Sequence, residues 1–253
     1  MVDFPAVFRQ DFDFEGIVSL SSCSGSLVRF ENSGDGDKAM VLTNGHCLET
    51  GMPRPGQVVY KRSSSRSFDI LNSRGSSVGR ARATQILYGT MTKTDMALYE
   101  LQETFRRHPC PLRRAPAHTV IATARCRRPD RSDLRILATR IHLLDRVLRL
   151  QTARGKLDDG RLHPLFTPGC VVYGGTSGSP VIMKGTRTVI GVNNTGNESG
   201  QRCTVNNPCE IDENGETTYQ KDFSYGQQTY WVYSCLNEKN EIDLSMNGCL
   251  LPN

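Results

Sequence analysis

Three short stretches carry residue types that together could perform nucleophilic chemistry. Gly174-Gly175-Thr176-Ser177-Gly178-Ser179-Pro180 sets a serine between glycines, where a tight turn can expose its hydroxyl and backbone N–H groups. A glycine-serine run is most often a plain loop, so this heptapeptide gains meaning only from its company. Val41-Leu42-Thr43-Asn44-Gly45-His46-Cys47 puts a histidine directly after an apolar strand, and Thr94-Asp95-Met96-Ala97-Leu98-Tyr99 puts an aspartate at the mouth of another. The chain order is His46, Asp95, Ser177, with gaps of 49 and 82 residues. A serine hydroxyl is a weak nucleophile near neutral pH, so a base must take its proton. An oriented carboxylate must then fix the tautomer of that base and stabilise the imidazolium that forms.

The elements that would hold these residues read as β. Residues 16–30 form two short strands about a small-residue bend, and 26–43 a hairpin through the Gly/Asp turn at 32–38. Val58-Val59-Tyr60, Phe68-Asp69-Ile70-Leu71, and the runs 85–88 and 96–101 complete about six strands. That spacing suits a small antiparallel barrel. After Phe105 the texture changes, and it returns to β-favouring runs at Val181-Ile182-Met183, 188–192 and 229–233.

These motifs, together with Cys23-Ser24-Gly25-Ser26-Leu27-Val28, resemble the chymotrypsin/trypsin family of serine peptidases over roughly 16–105 and 167–235. The resemblance implies an all-β fold of two six-stranded antiparallel β-barrels with the active site between them. It implies His46 as general base, Asp95 as its orienting carboxylate and Ser177 as nucleophile. The backbone N–H groups of Gly175 and Ser177 would form the oxyanion hole, and Asn193, Asn194, Thr195 and Gly196 the edge that pairs with substrate backbone. Cys23 and Cys47 would be bridged. The expected activity is endopeptidase cleavage of polypeptides through an acyl-enzyme, by a monomer that needs no metal and no organic cofactor. The run Gly175-Thr176-Ser177-Gly178-Ser179-Pro180 looks like that of the secreted bacterial branch. Thr176 stands where the animal zymogens carry an aspartate that pairs with a newly cut N-terminus, so activation by that route is not expected. Asn193 falls where glutamate-specific relatives carry a histidine, and Val171, six before Ser177, is not an acid. Neither a Glu nor a Lys/Arg preference is therefore supported.

Composition bounds the remaining readings. At 253 residues the chain suits one large domain or two lobes, and no apolar run approaches the ~20 residues of a membrane helix. The start lacks a basic segment followed by an apolar one, so no signal peptide is read there. Nine cysteines point to an oxidising, extracellular setting. Cys203 with Cys209, and Cys235 with Cys249, are plausible local bridges, though spacing alone leaves the pairing open. No His/Cys cluster has zinc spacing.

The formal charge of +5 is unevenly spread. Residues 106–165 hold fourteen arginines and Lys156 against five aspartates, a local +10, so the rest of the chain is net acidic. The segment has no Phe, Tyr or Trp and holds four of the five histidines. Arg127-Arg128-Pro129-Asp130-Arg131 looks like coil, and 143–150 like a basic helix. The resemblance implies a single trypsin-like peptidase domain over 1–253, made of 1–105 (first barrel), an anomalous Arg-rich segment at 106–166, and 167–253 (the rest of a disturbed second barrel and a disulfide-rich tail). One reading of the segment is an arm for nucleic acid or an anionic surface. The other, preferred, is a pair of compensating frame errors near 106 and 166. A one-base shift from Arg135-Ile136-Leu137-Ala138 onward can encode an aromatic, β-like run with a single cysteine. Removing Cys110 and Cys126 and adding that cysteine makes the count even. No nucleic-acid or membrane partner is expected. The alternative to an active enzyme is an inactive homologue that binds peptides or partners.

Overall fold

A computed structural model describes residues 14–107, 151–154, 157–158, 162–165, 174–182, 187–204, 206–212 and 214–253. The runs 127–131 and 143–150, the frame-shift junction near 166, and Cys110, Cys126, Cys170 and Val171 lie outside the described residues.

The first half is a closed antiparallel barrel. Its strands are β1 (Ile17–Ser19), β2 (Ser24–Val28), β3 (Lys38–Thr43), β4 (Val58–Ser63), β5 (Ser67–Leu71), β6 (Ser77–Thr90) and β7 (Met96–Thr104). Six of them form the ring β1-β2-β3-β7-β6-β5 and back to β1. The β2/β3 hairpin reads as expected, with Ser26 opposite Leu42 and Val28 opposite Met40. The extent of β6 does not match the sequence reading, which saw only its apolar end at 85–88. The strand begins eight residues earlier, where exposed Arg80 and Arg82 alternate with buried Ala81 and Ala83. Alanines point inward there, so the period of two is present without large apolar residues to announce it. The first half of β6 pairs with β5 and the second with β4, while β7 takes the opposite edge. Register shifts at Ala83/Gln85 and Ile86/Tyr88 bend it around the barrel.

Alternation decides what each face does. Ala39 and Val41 of β3 and Ala97, Tyr99 and Leu101 of β7 fill the barrel with Val18, Leu27, Phe68 and Ile70. Met40, Leu42, Met96 and Leu98 point outward, yet they are buried too, against Val192, Val232, Ile242 and Leu251. The central strands are therefore apolar on both faces, because the second half of the chain covers the outer one.

The second half contributes two four-stranded antiparallel sheets among the described residues. One runs β10 (Leu162–Leu165), β15 (Ser224–Gln228), β12 (Val189–Gly196), β11 (Pro180–Ile182). The other runs β14 (Thr217–Thr218), β13 (Cys209–Ile211), β8 (Gln151–Arg154), β9 (Leu157–Asp158). Strands β8 to β10 come from the end of the Arg-rich segment. Disulfides join Cys23 to Cys47, Cys203 to Cys209 and Cys235 to Cys249. No helix among the described residues is long and apolar enough to cross a membrane.

Candidate active site

His46 sits in a single 3-10 turn, Gly45–Cys47, directly after β3. A Cβ on Gly45 would lie 1.9 Å from the Thr90 carbonyl oxygen, so only glycine lets the chain turn this close to β6. Asn44, fully buried, donates from Nδ2 to the Asp95 carbonyl at 2.8 Å. Behind the turn, Arg66 Nη1 donates to the Cys47 carbonyl at 2.5 Å and to the Tyr99 hydroxyl at 3.1 Å. Ser64 Oγ and Tyr99 donate to the two oxygens of Glu49, which also faces Arg66 at 3.6 Å. Burial opposes ionisation of Glu49, but the bonds from Ser64 and Tyr99 and the Arg66 charge outweigh it and lower its pKa. Burial raises the Tyr99 hydroxyl pKa well above its ordinary value, which keeps it a donor in this network.

Asp95 lies at the mouth of β7 and has no solvent exposure. Its Oδ2 is 2.7 Å from His46 Nδ1, and its Oδ1 accepts the His46 backbone N–H at 3.0 Å. Asp95 N in turn donates to Gln227 Oε1 on β15 at 3.3 Å. An ionised carboxylate only accepts, so it draws the imidazole proton to Nδ1 and leaves Nε2 with its lone pair free to act as a base. Both carboxylate oxygens thus hold one residue, fixing the ring in angle as well as tautomer.

Ser177 lies on the turn before β11, between two glycines with positive φ, Gly175 at 93° and Gly178 at 85°. A Cβ on Gly178 would meet the Ser24 carbonyl oxygen at 2.1 Å and Thr43 Oγ1 at 2.2 Å. The turn is pressed against the first barrel: Ser24 N donates to the Ser177 carbonyl at 2.8 Å, and Ser24 Oγ to the Gly175 carbonyl at 2.9 Å. On the other side, Gly178 N donates to the Asn193 carbonyl and Asn193 N to the Ser179 carbonyl, at 2.9 and 2.7 Å. Ser177 Oγ makes a long bond of 3.4 Å to the Asn194 carbonyl.

The trypsin-like peptidase domain family matches residues 23–192, a span that takes in all three of these elements. The chain belongs to this family. It is a peptidase domain, a hydrolase whose substrates are polypeptides. No curated protein matches the chain.

Of the residues expected along the substrate edge of this peptidase domain, Asn193 has its own N–H and C=O engaged by Ser179 and Gly178. The β11-facing edge of Asn194, Thr195 and Gly196 carries no paired strand among the described residues. A register shift between Asn193 and Thr195 re-aims the strand at that point. Cys23, His46 and Cys47 present ligand atoms within 4.8 Å of one another, but both sulfurs are in the disulfide and neither can supply the thiolate that a metal needs. Sequence reasoning missed Ser24, Asn44, Arg66 and Gln227. Ser24 and Asn44 stood inside quoted motifs and were noticeable as polar residues next to predicted strands. Arg66 and Gln227 reach the site only through tertiary contact and leave no local signal.

Proposed function

We propose that this chain is a serine endopeptidase that hydrolyses polypeptides through an acyl-enzyme. Ser177 attacks the scissile carbonyl as His46 Nε2 takes its proton. His46 returns that proton to the leaving amine, and water then hydrolyses the ester with His46 again as base. Asp95 keeps Nδ1 protonated and stabilises the imidazolium, while the N–H groups of Gly175 and Ser177 receive the oxyanion. The substrate backbone runs along Asn194, Thr195 and Gly196. The observation that carries this reading is the buried carboxylate of Asp95 gripping both the ring and the backbone of His46. In this reading the protein groups with the secreted bacterial enzymes, a reading supported by the Gly-Thr-Ser-Gly-Ser-Pro run and by the Cys23–Cys47, Cys203–Cys209 and Cys235–Cys249 disulfides.

A fluorophosphonate probe tests the reading, because it phosphonylates only a serine whose proton is taken by a neighbouring base. Stoichiometric labelling that Ser177→Ala abolishes is the expected result. Folded protein that resists labelling and leaves casein intact would overturn it in favour of an inactive binding homologue.

A further inference from the structure

Three consecutive carbonyl groups of the nucleophile turn are held by residues on opposite sides of it. Ser24 Oγ donates to Gly175 C=O at 2.9 Å, and Ser24 N donates to Ser177 C=O at 2.8 Å. Between them, Thr176 C=O accepts from Asn193 Nδ2 at 3.1 Å and from Ser179 N at 3.0 Å. Asn193 Nδ2 also lies 3.0 Å from Thr176 Oγ1, which anchors that side chain as well. In a planar trans peptide the C=O and N–H of one unit point in opposite directions. Holding Thr176 C=O toward Asn193 therefore turns the Ser177 N–H away from it, and fixing the flanking carbonyls removes the torsional freedom to flip that plane. Neither Gly175 N nor Ser177 N donates to a protein acceptor among the described residues, so both remain free for a ligand oxygen.

We infer that Ser24 and Asn193 are positioning residues that keep the oxyanion hole formed, one from each half of the molecule, by neutral hydrogen bonds to the peptide planes of residues 175–178. The inference rests on the proposed acyl-enzyme reading. It assigns the Ser24 hydroxyl a role that its backbone N–H does not fill, because the N–H reaches only Ser177 while the hydroxyl alone reaches Gly175. Asn193 is 6% exposed and turns its amide into the site, so it acts on the turn through Thr176 and not through the substrate. Thr176 carries no charge, so the clamp needs no buried ion pair and no newly cut N-terminus.

The experiment compares wild type, Ser24→Ala and Asn193→Ala by kcat and KM on fluorescein-labelled casein and by the rate of fluorophosphonate inactivation. Ser24→Ala removes one partly exposed hydroxyl and leaves the backbone bond to Ser177 in place, so it is the variant that keeps its fold. Loss of a whole oxyanion donor typically costs about 100- to 1000-fold, so loosening one is expected to lower kcat and the inactivation rate together by about 10-fold or more. KM is expected to stay within about 3-fold, because an oxyanion contact exists only in the transition state. A Ser24→Ala enzyme with wild-type kcat and inactivation rate overturns the inference, as does a loss carried in KM alone. If the wild type itself neither labels nor cleaves casein, the acyl-enzyme reading fails and this inference fails with it. A labelled, active wild type with unaffected variants sinks this inference alone.

Discussion

Asp95 loses all its water on folding, and the bonds its two carboxylate oxygens make to the His46 ring and backbone N–H offset part of that cost. Asp95→Asn keeps the shape but can offer an N–H where a carboxylate oxygen accepted, which stabilises the wrong imidazole tautomer. The expected outcome is a fall in kcat of about 10,000-fold with KM little changed, read by steady-state kinetics on labelled casein. The Glu49 network one turn further on makes a separate prediction, about stability. Because its folded pKa lies below the unfolded one, Glu49 stabilises the fold above the carboxylate range and the gain is lost as pH falls through the folded value. Glu49→Gln is expected to lower the urea midpoint at neutral pH, with the gap to wild type closing toward about pH 3. A gap that stays constant across that range would mean the effect is packing, not charge.

At the scale of elements, the turn that carries Ser177 depends on one residue having no side chain. Gly178 combines φ of 85° with a contact to Ser24 O and Thr43 Oγ1 that leaves no room for a Cβ. Gly178→Ala is expected to push the turn off the barrel, abolish fluorophosphonate labelling, and cost on the order of 2 kcal/mol or more in urea unfolding. Far-UV circular dichroism should remain that of a β protein, because the β2/β3/β7 ladder does not pass through the turn. Elements built on large alternating apolar residues, such as β3 and β7, were legible in the sequence. The first half of β6 was not, because its inward residues are alanines whose burial depends on what lies across the barrel.

For the whole molecule, the two halves share a core made from the outer face of β3 and β7 and from the C-terminal tail. Tyr60 and Tyr88 donate to the carbonyls of Ile242 and Pro252 at 2.6 and 3.0 Å, and the Cys235–Cys249 bridge closes the tail behind them. Replacing both cysteines by serine opens a loop of 14 residues' separation and is expected to cost about 3 kcal/mol, measured by urea unfolding. The Arg-rich segment belongs to this scale too. Sequencing its coding DNA is expected to reveal two compensating frame changes, near codons 106 and 166; an intact frame there, with the same Arg-rich segment in related chains, would refute the frame error and return that stretch to the chain as a true insertion.

What the sequence determined by itself was the family and the residues proposed for its chemistry. Histidine, aspartate and serine in that order, each beside a β-favouring run, carry the resemblance from which the proposed base, orienter and nucleophile follow, because motif identity is local and survives without coordinates. The first barrel followed from periodicity, and the Cys23–Cys47 bridge from the resemblance. Only the tertiary structure decided which groups hold the site in place. Ser24 lies 151 residues from Gly175 and Gln227 lies 132 from Asp95. Contacts at such separations are set by how the two halves close on each other, and no local pattern of residues encodes them.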